Sequence, residues 1–309
     1  MQELTNEQKW ALEKFQETIE KSKSEGKGMS DAELCKKIGI SPQVYSPIKN
    51  GTYTGNVDKQ LQKVIEYFKV KTEATIIETD TGYKETSASK VVYKAIQSAQ
   101  VLGGMVVVQG DAGVGKTQAC MKFKEDYRST AIMITAKSFV KSPRAILELI
   151  GKELNVPYGP SSKMWNEIAD KLSDGMVIII DEAQHLSGAT IDGIRSFSDM
   201  FENEGQTLGI ALVGNDTIYS KIKKSGLNQI NNRIKNIINI TSSKLTYEDM
   251  QLLFPELTNE PEALEFLLLF AQSDESVRGA KNLYNNSRYQ KGENALSKLK
   301  NAAKKRKGI

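Results

Sequence analysis

The residues best suited to chemistry crowd into the run M-V-V-V-Q-G-D-A-G-V-G-K-T-Q, from Met105 to Gln118. A short apolar segment ends at Gly110, and Gly110, Gly113 and Gly115 lead straight into Lys116 and Thr117 at the start of a helix-like segment. Glycines let a backbone fold so that successive N–H groups point inward at phosphate oxygens, while a helix N-terminus adds partial positive charge. Gly110, Asp111, Ala112, Gly113, Val114, Gly115, Lys116, Thr117 and Gln118 are therefore the expected cradle of a nucleotide phosphate chain. Lys116 is expected to reach the β- and γ-phosphates, and Thr117 to hold Mg2+ through its hydroxyl. The plain alternative is a glycine-rich turn that happens to contain Lys-Thr; the strand-loop-helix context argues against it.

A second constellation follows at Met176 to Ile180, an apolar run that ends in Asp181-Glu182. Two carboxylates at the C-terminal end of a strand beside a phosphate loop divide the work. Asp181 is expected to hold Mg2+, and Glu182 to take a proton from an attacking water. His185, the chain's only histidine, lies in the D-E-A-Q-H segment and is given no catalytic role. The run Gly209 to Val213 ends in Gly214-Asn215, whose amide could orient a water or touch the γ-phosphate; the same pair is also a common turn signal. Arg233, within N-N-R-I, and Arg278 could bring a cation to the γ-phosphate, Arg233 from a neighbouring subunit. Either could equally be a surface ion-pair partner.

These residues need a scaffold that delivers them to one edge. From Lys90 onward, helical periodicity alternates with short apolar runs at Met105–Val108, Ala131–Thr135, Met176–Ile180, Gly209–Val213 and Ile237–Ile240. That alternation predicts an α/β fold with a parallel five-stranded sheet and helices on both faces. Beyond the last run, Tyr247 to Ala303 reads as helices only, a helical lid.

The N-terminal part reads differently. Leu4, Leu12, Phe15 and Ile19 recur at helical spacing, Ser30-Asp31 can cap a helix from Ala32 to Ile38, Gly39 turns the chain, and Ser41-Pro42 open another helix to about Asn50. A short helix, a glycine turn and a second short helix form the plan of a helix-turn-helix. Between Leu34 and Lys63 there are five lysines and one acid, Asp58. Groove-facing candidates are Ser41, Gln43, Tyr45, Ser46 and Lys49; a small bundle for protein contacts is the alternative. A further helix is expected over Val57–Phe68, then a polar linker from Lys71 to Ser89 with a short extended piece at Thr75–Ile77. The expected domains are residues 1–70 (helix-turn-helix-like), 71–89 (linker), 90–243 (nucleotide core) and 244–309 (lid with a basic tail).

The formal net charge of +4 is unevenly spread: from Lys281 to the end nine Lys/Arg face one acid, Glu293, which puts +8 there and leaves −4 on the rest. Such asymmetry points to an anionic partner, nucleic acid being the commonest. Cys35 and Cys120 are far apart and in no C-x-x-C pair, which suggests neither a disulfide framework nor a zinc site. No apolar run approaches membrane-spanning length, so no membrane partner is expected, and a cytoplasmic protein is.

Taken together and in order, G-D-A-G-V-G-K-T, I-I-I-D-E-A-Q-H-L, A-L-V-G-N, N-N-R-I and the Arg278 region resemble the AAA+ ATPases. With G-I-S-P-Q-V-Y-S-P-I-K-N-G ahead of them and a short helical C-terminus behind, they resemble the phage Mu transposition protein B family over nearly the whole chain. The resemblance implies a protein of a bacterium, phage or integrative element, at work in the cytoplasm of a bacterial host cell, that binds ATP with Mg2+, polymerises with itself as a helical filament on duplex DNA, recruits a transposase, and is dismantled by hydrolysis. It implies Walker A roles for Lys116 and Thr117, Walker B roles for Asp181 and Glu182, sensor 1 for Asn215, an arginine finger for Arg233 and sensor 2 for Arg278. In such a filament Lys137, Lys141 and Arg144 are the implied phosphate contacts. The tail A-A-K-K-R-K-G-I is more basic than the likeness leads one to expect.

Two other functions share parts of this pattern. A helicase loader or insertion-sequence helper ATPase would use the same core, and a DNA-binding regulator could use ATP as a ligand switch without hydrolysis. The N-terminal helices argue mildly against the first, and Glu182 argues against the second, since a pure switch needs no base.

Overall fold

The computed structural model describes residues 4–26, 28–77, 82–224 and 233–306. The chain forms two compact units, residues 1–82 and 83–309.

Among the described residues of the first unit, four helices enclose a small core: α1 (Asn6–Ser24), α2 (Asp31–Ile38), α3 (Pro42–Lys49) and α4 (Val57–Ile77). Thr5 and Ser30 each close a capping box, with Gln8 and Glu33 respectively, so the first N–H groups of α1 and α2 have partners. Gly39 ends α2 in the left-handed conformation, the turn between α2 and α3. Phe15, Leu34, Tyr45, Leu61 and Val64 fill the interior.

Two expectations for this unit are corrected. Tyr45 does not face outward: it is 1% exposed and stacks on Phe15 with ring centroids 4.0 Å apart. Tyr45 and Ile48, three residues apart, belong to the helix's apolar side; Ser41, Gln43, Ser46 and Lys49 remain exposed. Helix α4 also runs on to Ile77, through the stretch expected to be extended. Extending a helix adds one hydrogen bond per residue and outweighs the weak propensity of Thr and Ile, about 0.5 kcal/mol each. The next helix, α5 (Ser87–Leu102), starts inside the expected linker, capped by Thr86. Part of that linker, residues 78–81, lies outside the described residues.

The second unit is a parallel sheet of β1 (Gly104–Gly110), β2 (Ala131–Thr135), β3 (Met176–Asp181), β4 (Leu208–Gly214) and β5 (Ile234–Ile240), in the order β2-β3-β4-β1-β5. Helices cover both faces, which is why β1, β3 and β4 are continuous apolar runs rather than alternating ones. Alternate residues of each strand serve opposite cores. Met105, Val107, Ile178 and Ile180 pack with Ile146 of α7 (Pro143–Glu153), Ile168 of α8 (Ser161–Lys171) and Phe197 of α9 (Gly188–Asn203). Val106, Val108, Val177 and Ile179 pack with Val92 and Ile96 of α5 and Phe123 of α6 (Lys116–Asp126). A short α10 (Thr217–Lys224) follows β4.

The chain closes with α11 (Tyr247–Leu253), α12 (Pro261–Gln272), α13 (Ser276–Ser287) and α14 (Ala295–Arg306), which share a core of their own around Met250, Phe254, Leu264, Leu267 and Leu283. Asp249 of α11 is 3% exposed; it caps its own helix and accepts hydrogen bonds from Ser87 N (2.7 Å) and Ser87 Oγ at the start of α5. That buried carboxylate pins the lid to the nucleotide core. Among the described residues no helix is long and apolar enough to cross a membrane.

Candidate nucleotide site

Because every strand pairs in parallel, the loops after all five leave the same edge of the sheet, the position where open α/β sheets place ligands. The loop after β1 is held from below by the end of β5. Asp111 N donates to Ile240 O (3.0 Å), and the Asp111 carboxylate accepts from Ser242 N (2.7 Å) and Ser242 Oγ. These bonds hold the Asp111 carboxyl below the usual carboxylate range. Gly110, at φ +148, comes so close to β5 that a Cβ would collide with the Ile240 carbonyl.

The lid grips the same loop from its other side. Ser276 Oγ donates to Ala112 O (2.6 Å), Arg278 N donates to Gly113 O (3.2 Å), and a Cβ on Gly113 would lie 2.9 Å from Arg278 Cβ. Arg278, the expected sensor 2 residue, thus lies in the first turn of α13 with its backbone directly against the phosphate loop and its side chain exposed. Asp111 and Ser276 are fixing residues of the loop; Gly113 and Gly115 are left-handed, and Val114 is buried beneath it. Gln118, in the first turn of α6, and Ala112 are exposed.

Lys116 is 9% exposed and its ammonium donates to Gly110 O (2.9 Å) and Asp111 O (2.6 Å). Burial lowers its pKa, and the negative charges of Asp181, Glu182 and Asp111 pull it back up. Thr117 Oγ1 donates to Asp181 Oδ2 (2.8 Å), whose other oxygen accepts from Glu182 N (3.0 Å). Asp181 is 3% exposed, and burial raises its carboxyl above the usual range despite those two bonds. A hydroxyl and a buried carboxylate side by side at the loop's edge are the oxygen donors that a hard cation such as Mg2+ takes alongside phosphate oxygens. The residues fit that ion.

Glu182 stands in the left-handed conformation (φ 56°), a backbone state disfavoured for glutamate and characteristic of functional positions. Its carboxylate accepts from Gln184 Nε2, while Gln184 Oε1 accepts from Asn215 N (3.1 Å). One glutamine therefore ties the expected base to the end of β4. The Asn215 side chain is partly committed elsewhere: its Oδ1 caps α10, accepting from Thr217 N (3.0 Å) and Thr217 Oγ1 (2.6 Å). Its NH2 group is the part left for a water or a phosphate.

Arg233 is not in this cluster. It precedes β5, and β1 and β5 run in parallel from Met105 beside Ile234 to Gly110 beside Ile240, so Arg233 sits at the opposite edge of the sheet, about 20 Å from the loop at the usual strand rise. There its guanidinium meets Asp199 Oδ1 (3.1 Å) and Glu202 Oε2 (2.6 Å) of α9. Asn231 and Asn232, which precede it, lie outside the described residues. Of the expected DNA contacts, Lys137 and Lys141 are exposed on the loop after β2. Arg144 is engaged: it pairs with Glu148 (2.9 Å) and lies 5.3 Å over the Tyr158 ring. In the basic tail Arg306 pairs with Glu275 and lies over Phe270 (5.7 Å); Lys307 lies outside the described residues.

Gln184, Ser242 and Ser276 are the site residues that the sequence does not single out. Gln184 stands inside D-E-A-Q-H and was within reach as a polar neighbour of the acids. Ser242 and Ser276 act across separations of more than a hundred residues, and nothing in their local sequence marks them.

A family model described as an AAA domain matches residues 100–222. The Mu-like prophage FluMu DNA transposition protein B of Haemophilus influenzae is 30% identical over 200 residues, 63% of this chain and 67% of that protein. The ATP-dependent target DNA activator B of Escherichia phage Mu is 25% identical over 196 residues, 62% of this chain and 60% of that protein. Among solved structures, the Aeropyrum pernix ORC2 protein in its ADPNP–ADP complexes aligns with a TM-score of 0.53 at 13% identity, covering 73% of this chain and 70% of that one. CDC6P from Pyrobaculum aerophilum gives 0.51 at 16%, covering 76% and 66%. At such identities the solved structures speak for the fold: a P-loop ATPase sheet of the AAA+ type.

Proposed function

The chain belongs to the transposition protein B family of Mu-like elements, and on that premise we propose that it is an ATP-hydrolysing activator of target DNA, which assembles on duplex DNA and brings a transposase to it. The observation that carries the enzymatic part is the grouping of Lys116, Thr117, Asp181 and Glu182 at one edge of the sheet, with Asp181 bonded to Thr117 at 2.8 Å and Glu182 in a strained backbone state.

The loop's glycines and the start of α6 cradle the triphosphate, and the Lys116 ammonium, freed from the carbonyls it now meets, offsets charge on the β- and γ-oxygens. Thr117 and Asp181 would hold Mg2+, which when bound offsets negative charge on the phosphates. Glu182 takes the proton of the attacking water, with Gln184 holding its carboxylate and tying it to the backbone N–H of Asn215 at the end of β4. Arg278 reaches the nucleotide from the lid of the same subunit. Arg233, at the far edge, reaches only the nucleotide of a neighbouring copy, which makes turnover depend on assembly. The exposed side of α3 and the basic tail add contacts to DNA phosphates.

The test is phosphate release with and without duplex DNA, alongside electron microscopy. DNA-stimulated turnover and ATP-dependent filaments, both abolished by Lys116→Ala, support the proposal. Discrete rings would favour a loader. Filaments that form and disperse normally with Lys116→Ala would overturn the role given to ATP.

A further inference from the structure

The loop between β2 and α7 carries Phe139, which is 99% exposed. A phenylalanine wholly in water contributes nothing to folding through burial, so its whole ring is available to a partner outside the subunit. It is not on a loose tip. Lys137 and Val140 exchange backbone hydrogen bonds in both directions (3.3 and 2.9 Å), and Thr190 Oγ1 donates to Lys141 O (2.8 Å) at the base of the loop. Lys137 and Lys141 are exposed on either side of Phe139, and among the described residues neither has an acidic partner. Arg144 is by contrast held by Glu148, by Gly159 O (3.5 Å) and over Tyr158.

An exposed aromatic ring on a tied loop, between two unneutralised cations, suits a polymer that alternates anionic and apolar surface, which is the chemistry of nucleic acid. The loop's position adds to this. Ala136 N, at its start, donates to Asp181 O (2.9 Å), so it hangs one backbone hydrogen bond from the acid expected to hold the metal.

We infer that this loop is a duplex-DNA contact in which Phe139, rather than Arg144, works with Lys137 and Lys141: the ring packs on sugar and base surface in a groove, between phosphates met by the two lysines. The inference rests on the reading that the chain binds duplex DNA, and it adds an apolar, salt-independent contact to that reading.

The experiment measures the affinity of the full chain for a short labelled duplex over a series of salt concentrations, with a non-hydrolysable ATP analogue present. Phe139→Ala is expected to weaken binding about tenfold at every salt concentration, with an unchanged slope of log affinity against log salt. Phe139→Trp is expected to bind within about twofold of the parent, while Lys137→Ala and Lys141→Ala each flatten the slope by about 1. Phe139→Ala binding like the parent overturns the inference. So does an equal loss in ATP-driven self-association without DNA, followed by sedimentation, which would make Phe139 a subunit contact. A parent protein that does not bind duplex DNA would instead refute the functional reading itself.

Discussion

Replacing Gln184 by leucine removes two hydrogen bonds without emptying the space: the one its amide donates to Glu182 and the one it accepts from Asn215 N at 3.1 Å. The bond to a charged carboxylate is the larger, but Gln184 is only half-buried, so its net value in fixing the base is about 1 kcal/mol. If Glu182 acts as base only when so fixed, kcat falls about fivefold, since 1.36 kcal/mol is a factor of ten. The KM for ATP stays where it was, because Gln184 has no hydrogen bond to the phosphate loop. Glu182→Gln, which removes the base itself, is expected to cost between about 100-fold and 10,000-fold. The decisive quantity is the double variant. A residue that acts through Glu182 has nothing left to act on once Glu182 is gone, so Gln184→Leu in the Glu182→Gln background should be silent. Steady-state phosphate release, with and without duplex DNA, gives all four rates. A further fivefold drop in the double variant would mean that Gln184 merely supports the fold.

Gly110→Ala, at φ +148 and against the Ile240 carbonyl, should cost about 3 kcal/mol in urea unfolding; a smaller loss than 1 kcal/mol would mean that the loop and β5 separate easily. Asp111 has a depressed carboxyl pKa, so its bonds to Ser242 stabilise the fold above the unfolded-state value and are lost as pH falls through the folded one. Asp111→Asn should therefore melt earlier than the parent at pH 7, by an amount that shrinks towards pH 3; thermal melts across that range check it, and a gap that does not narrow counts against the latch. Arg233→Ala should leave ATP affinity and, to within about 1 kcal/mol, stability unchanged, because its ion pairs are half-exposed. Its assembly-dependent turnover should fall by about 1,000-fold, and parental turnover with DNA would sink the trans role.

What could be read beforehand was local chemistry. The strand, glycine loop and Lys116-Thr117 are fixed by neighbours in sequence, and β3 announces itself because a strand buried on both faces has to be apolar throughout until Asp181 ends it. Direction was harder to read than identity. Tyr45 looked like a groove residue because aromatic and polar side chains mix in α3, yet its spacing from Ile48 puts it on the inner side, where Phe15 from a helix some thirty residues earlier decides the matter. Arg144 looked like a free cation; the loop after α7 returns Tyr158 and Gly159 to it. Partners so remote in sequence leave no periodic trace.

The contacts between lid and loop explain why a lid belongs in this site. In a trans peptide the carbonyl and the N–H point in opposite directions. Ser276 and Arg278 N hold the carbonyls of Ala112 and Gly113, so the N–H groups of the two peptides concerned, those of Gly113 and Val114, are turned away from the lid. The lid therefore aims loop donors by fixing their opposite ends, and it stays outside the cradle. Asp249, bonded to Ser87, fixes the lid's first helix to the core, so α13 can shift relative to the loop only by losing one or both of these carbonyl contacts. A phosphate chain that draws the loop's N–H groups inward strengthens that hold, and its departure weakens it. Lid position and phosphate occupancy of the loop are thereby linked through two peptide planes.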